Sequence, residues 1–228
     1  MQQQLDFVDY ACRVRQATKS LMSSLHGPAE ISGRMHLLNL ATERDLARFH
    51  PSQEPTRVAC GPGCGACCLL NVSVLLPEAI TITWFLQRRL SVAEKESLAE
   101  RLAELCRNTR WLNDEERIFV REPCAFLDEH ASCMIHAVRP LLCRSITSTD
   151  PVSCRDGIAM APLEGAPVIK MDLFHKRLFD TVYCELAKAL EELGLDHRPR
   201  RLSDAILALL AEPEIVGEFA AGGDVPLN

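Results

Sequence analysis

Cys60-Gly61-Pro62-Gly63-Cys64-Gly65-Ala66-Cys67-Cys68 is the stretch on which the reading of this chain turns. A thiolate is the ligand that soft and borderline metals prefer, and the two-residue gap between Cys64 and Cys67 lets two sulfurs converge on one ion while the backbone turns away. Gly61, Gly63 and Gly65 can take positive φ and bring N–H groups close to sulfur, where their partial charge offsets that of a thiolate. Pro62 stiffens the loop. Cys124, Cys133, Cys143 and Cys154 extend the set to eight cysteines.

Composition limits what such a set can serve. The chain has 228 residues, 47% of them hydrophobic, enough for a sizeable buried core. A net charge of −6 leaves no broad basic surface for phosphates or an anionic bilayer, so neither nucleic acid nor a membrane is an expected partner. The Met-Gln-Gln-Gln start lacks the charged and apolar regions of an export signal, and no apolar run approaches the roughly 20 residues of a membrane helix. The expected compartment is the cytoplasm. There, eleven cysteines argue for metal ligation or redox chemistry over a disulfide framework, and their number is odd. Cys12, Cys106 and Cys184 lie on helix-like segments outside the pattern and are read as small buried hydrophobes.

Most of the surrounding sequence has helical period. Ala11, Val14, Thr18, Leu21 and Leu25 form one stripe, and Ile31, Met35, Leu38, Thr42, Leu46 and Phe49 form a second after Gly27-Pro28. A Pro- and Gly-rich connector runs from Pro51 to Gly63. Leu69 to Leu76 is a short apolar run, strand-like or extended, and helix resumes at Pro77. Ser91-Val92-Ala93-Glu94 is a capping box that opens a helix whose stripe is Leu98, Leu102, Leu105, Thr109 and Leu112. Met171, Phe174, Leu178, Val182, Leu186 and Leu190 mark a long helix stopped by Gly194, and Ser203-Asp204 starts another that ends before Pro213. The loop from His197 to Arg201 is basic, a solvated turn or a dock for an acidic partner, and the tail from Gly222 is expected to fray. The sequence divides into an N-terminal helical segment (1–50), a cysteine-cluster core with a helical insertion (51–160) and C-terminal helices packed on it (161–228), together one globular unit.

Between Leu127 and Cys133 the polar insert Asp128-Glu129-His130-Ala131-Ser132 suits a hairpin turn that returns Cys133 toward Cys124. Pro140 limits the segment before it to about one helical turn. The expected fold class is mainly α, a helical scaffold around a small irregular cysteine-rich core with a short hairpin, pinned by metal.

Cys64-Gly65-Ala66-Cys67-Cys68, Cys124-Ala125-Phe126-Leu127, Cys133 and Arg139-Pro140-Leu141-Leu142-Cys143-Arg144 together resemble the YkgJ-like cysteine-cluster family, known for its CxxCxxCC motif and described as zinc- or iron-chelating. The resemblance covers residues 58 to 156 and implies ligand roles for Cys64, Cys67, Cys68, Cys124, Cys133 and Cys143. Cys60 stands three residues before Cys64 where the family has two, a gap that metal loops accept. Cys154 resembles a later cysteine in part of the family. His136, where the family often has tyrosine, is read as a packed, hydrogen-bonded ring in preference to a ligand, and His130 as exposed. Arg139 and Arg144 flank the ligands and could offset sulfur charge or hold a substrate carboxylate, with a structural ion pair preferred for Arg139.

In extended backbone the side chains of Cys67 and Cys68 point to opposite faces, which favours two metals or one polynuclear centre. Eight thiolates complete two tetrahedral sites, and four hold one iron–sulfur cluster. Iron or an iron–sulfur cluster is placed ahead of zinc. Redox or iron-handling chemistry is the first functional reading. A structural-zinc module that grips a protein or peptide partner is the second. The third is a protein-modifying enzyme, because flagellin lysine methylases carry a similar cluster.

Overall fold

The computed structural model describes residues 5–51, 58–160 and 167–226. The expected connector falls partly on 52–57, outside those residues, as do 1–4, 161–166 and 227–228. Within them the chain forms helices α1 (Phe7–Met22), α2 (Pro28–Phe49), α3 (Leu76–Arg89), α4 (Val92–Thr109), α5 (Asp114–Val120), α6 (Leu141–Ser145), α7 (Pro151–Met160), α8 (Leu173–Glu192), α9 (Leu202–Ala211) and α10 (Ile215–Ala221). Two 3₁₀ turns, Ala66–Leu69 and His136–Val138, and two short strands, β1 (Ser73–Val74) and β2 (Arg200–Arg201), complete the described elements. The class is mainly α, as expected.

Local chemistry sets the helix ends. Asp6 accepts the N–H groups of Val8 and Asp9 at the start of α1, Ser91 and Glu94 form the reciprocal box that opens α4, and Asp172 accepts the His175 N–H at the start of α8. Gly194, at φ +70°, closes α8 where only glycine turns without strain. Four helices, α5, α6, α7 and α10, have no counterpart in the sequence reading.

Buried stripes then join the elements. α8 buries Leu178, Val182, Leu186 and Leu190 and packs against α1 and α6, while α3 lies between α2 and α9. α4 turns Leu98, Leu102, Leu105 and Thr109 onto α9. Tyr10 and Met22 replace the expected Ala11 and Leu21 in the stripe of α1, whose buried residues Tyr10, Val14, Thr18 and Met22 recur every four positions. β1 pairs antiparallel with β2, Ser73 opposite Arg201 and Val74 opposite Arg200, so the segment after the cysteine loop is stitched to the C-terminal part of the chain.

That C-terminal part is less free than its composition suggests. Asp196, fully buried, accepts hydrogen bonds from Arg198, from Arg200 and from the Val225 N–H, and both arginines also donate to the Val225 carbonyl. The basic loop is thus largely neutralised from within, and the tail is held through Val225. Cys12 and Cys184 are exposed and Cys106 is half-buried, which corrects their reading as buried hydrophobes. Among the described residues no helix is long and apolar enough to cross a membrane.

Candidate metal centre

The first loop is shaped by its glycines, though not in the expected way. Gly63 alone of Gly61, Gly63 and Gly65 has positive φ, at +82°. Its N–H donates to Ser132 Oγ at 3.2 Å. Gly65 serves by close approach: a Cβ there would meet Leu127 Cδ1 at 3.0 Å, so a larger residue would press the loop against the hairpin.

Cys67 and Cys68 sit in the 3₁₀ turn Ala66–Leu69. This corrects the expectation of extended backbone: the tight turn sets the two thiols close enough that each acts on the other's proton. The neighbouring Cys68 thiol pulls the Cys67 thiol down to about 7, with the Arg139 charge helping against burial. Cys68, which holds that proton, is pushed up.

The remaining cysteines come from three further segments. The Cys124 N–H donates to the Cys68 carbonyl at 2.9 Å and fastens the second group to the first. The expected hairpin is present: Leu127 bridges Cys133, the Asp128 N–H reaches the Ser132 carbonyl at 2.9 Å, and Asp128 Oδ1 accepts the N–H groups of His130 and Ser132. Cys143 rides on α6, directly after Pro140. Cys154 is buried on α7.

All eight cysteines, Cys60, Cys64, Cys67, Cys68, Cys124, Cys133, Cys143 and Cys154, line one cavity of about 200 Å³. Burial raises most of their thiols: Cys60 and Cys133 upward, Cys124 and Cys154 to about 11, and Cys143 well beyond its ordinary value, with like charge on neighbouring sulfurs adding to the effect. The thiols share the cavity without closing into a ligand shell. Among the described residues no three His, Cys, Asp or Glu side chains form a group that could hold an ion.

The flanking residues trade their expected roles. Arg144 is the structural brace: it donates to Glu43 Oε1 at 2.7 Å, to the Arg139 carbonyl at 3.0 Å and to the Ala137 carbonyl at 3.1 Å. Arg139 instead lines the cavity, and its buried Nε has no partner. His136 borders the cavity but is exposed, not packed, and burial with the charges of Arg139 and Arg144 keeps its ring below the usual histidine range. His130 is exposed as expected.

Arg117 on α5, Arg201 on β2 and Thr109 on α4 also line the cavity, and no sequence signal ties them to the cysteines. Arg201 is engaged, its terminal nitrogens donating to the carbonyls of Thr109 and Leu112 at the end of α4.

A helical scaffold here converges eight cysteines from four segments on one cavity, a thiol-rich donor set of the kind that binds soft and borderline metals. Residues 59–161 match the model of the CxxCxxCC family, described as "Putative zinc- or iron-chelating domain". No curated protein and no solved structure matches the chain. α1, α2 and α8–α10 lie outside the matched segment and form the scaffold around it.

Proposed function

We propose that this protein holds iron, or alternatively zinc, through Cys60, Cys64, Cys67, Cys68, Cys124, Cys133, Cys143 and Cys154, and uses the centre for redox or iron-handling chemistry in one globular unit. The observation that carries the reading is the shared cavity: cysteines spread from 60 to 154 in the sequence all reach one space. The donor set fits. Thiolates select zinc, copper(I) and iron–sulfur centres over hard cations, and eight exceed what one structural zinc needs.

The residues divide the work. The 3₁₀ turn presents Cys67 and Cys68 together, with Cys67 the readiest to lose its proton. The hairpin presents Cys124 and Cys133, and α6 and α7 present Cys143 and Cys154. Bound iron would supply one-electron chemistry, and bound zinc a fixed crosslink between loops. Loading would draw the thiols inward from the cavity wall, and Gly63 and Gly65 are the points at which the first loop can give.

Elemental analysis with an absorption spectrum, on protein purified without oxygen, tests the reading. Iron with acid-labile sulfide and visible colour supports a redox centre. Colourless protein with one or two zinc ions turns the reading to the structural module. Protein that binds neither metal overturns it.

A further inference from the structure

Arg117 is buried against the cavity wall, 3% exposed. Its Nη1 has no hydrogen-bond partner, and none of the ion pairs among the described residues includes it. Buried charges are ordinarily paired, because an uncompensated ion in a low-dielectric surrounding costs several kcal/mol. No carboxylate among the described residues pairs with it. After burial itself, the Cys124 sulfur is the group that acts on this guanidinium most strongly, ahead of Glu122, which forms no ion pair with it.

Arg139 repeats the pattern. It lines the same cavity with a buried, unpartnered Nε, and its charge acts on Cys60, Cys67, Cys133 and Cys143. Two cations therefore face a wall of thiols that, while protonated, offers them no anion.

We propose that Arg117, with Arg139 as its second, is the built-in counter-cation of an anionic metal–thiolate centre in this cavity. The inference rests on the thiolate reading above and deepens it. Four thiolates around one divalent ion carry a net charge of about −2, and an enclosed anion of that size needs fixed cations or N–H dipoles beside it. Without metal the cation would lack an anion beside it, and loading would bring the two together. Removing the charge therefore acts with opposite sign on the two states, which a purely structural arginine would not do.

The test uses the full metal-free chain, titrated with cobalt(II) and read by thiolate-to-cobalt charge-transfer absorption, for wild type, Arg117→Met and Arg117→Lys. Arg117→Met is expected to weaken cobalt binding by about tenfold or more while raising the melting temperature of the metal-free protein. Arg117→Lys is expected to recover most of the affinity. Arg117→Gln, which keeps a polar group in the cavity, gives the same comparison if methionine prevents folding. Equal cobalt affinity in the charge-removing variant and wild type overturns the proposal, as does a metal-free variant that melts below wild type. A wild-type chain without any charge-transfer band overturns the thiolate reading itself, and this inference with it.

Discussion

The Leu141 N–H donates to Glu78 Oε1 at 2.8 Å inside the protein. The second oxygen of that carboxylate, Oε2, accepts the Leu75 N–H at 2.9 Å. One buried side chain, 3% exposed, thus satisfies free donors at the starts of both α3 and α6, and α6 carries Cys143. Glu78→Ala leaves two buried N–H groups without partners and should cost about 2–5 kcal/mol. Denaturant unfolding gives the cost, and metal content should fall with it as α6 loosens.

The same carboxyl sets a pH dependence. Burial raises it to about 7 from an ordinary 4.5, against the pull of the Leu75 and Leu141 N–H groups and the Arg144 charge. A group raised in the folded state contributes stability that is complete below its unfolded pKa and is lost as pH rises through the folded one. Glu78's share should therefore decline between about pH 4.5 and pH 7. Glu78→Gln, less stable throughout because its amide N–H₂ meets a donor, should lose this slope. Unfolding curves at pH 5 and pH 8 compare the two, and equal slopes would refute the assignment.

Cys67→Ser and Cys143→Ser should each lower metal content and melting temperature together, because each removes a sulfur that ties separate segments through the centre. Cys106→Ser, outside the cavity, should leave metal content unchanged. Equal metal content in all three proteins would rule out the ligand set.

Thiols held at about 11, as Cys124 and Cys154 are, must shed protons to bind metal. Uptake of zinc in weak buffer should acidify the solution, and apparent affinity should be lower at pH 6 than at pH 8. In the metal-free chain these raised groups stabilise the fold below their ordinary pKa of 9, and that share is lost as pH climbs toward about 11. Metal-loaded protein should not show this alkaline loss. Identical pH curves with and without metal would contradict the burial of these thiols.

Gly157 lies three residues after Cys154 on α7, and a Cβ there would stand 2.5 Å from Ile169 Cγ1 and 2.9 Å from the Pro167 carbonyl oxygen. Gly157→Ala should force α7 and that segment apart, at about 1–3 kcal/mol, measurable as a lower melting temperature.

Much of the fold was legible where burial imposes a period. The stripe of α2, the Ser91–Glu94 box of α4 and the Gly194 stop of α8 all read directly, because helix ends and buried faces are written in local residue types. The hairpin was legible because its polar insert has turn length. The 3₁₀ geometry at Cys67 and Cys68 was not, since adjacent cysteines carry no signal for how tightly the chain turns. Nor were Arg117 and Arg201: their places at the cavity come from how α5 and β2 pack, and an arginine in an acidic stretch looks solvated. The exchange of roles between Arg139 and Arg144 depended on Glu43, far away on α2.

The pairing of Ser73 with Arg201 has a consequence for how the protein is made. Synthesis proceeds from the N-terminus, so Cys154 emerges from the ribosome before β2 exists to complete the wall that Arg201 forms. At about 5–20 residues per second, the nascent chain spends a few seconds with its full complement of thiols and an unfinished enclosure. In that interval the thiols are more open to oxidants than in the finished fold.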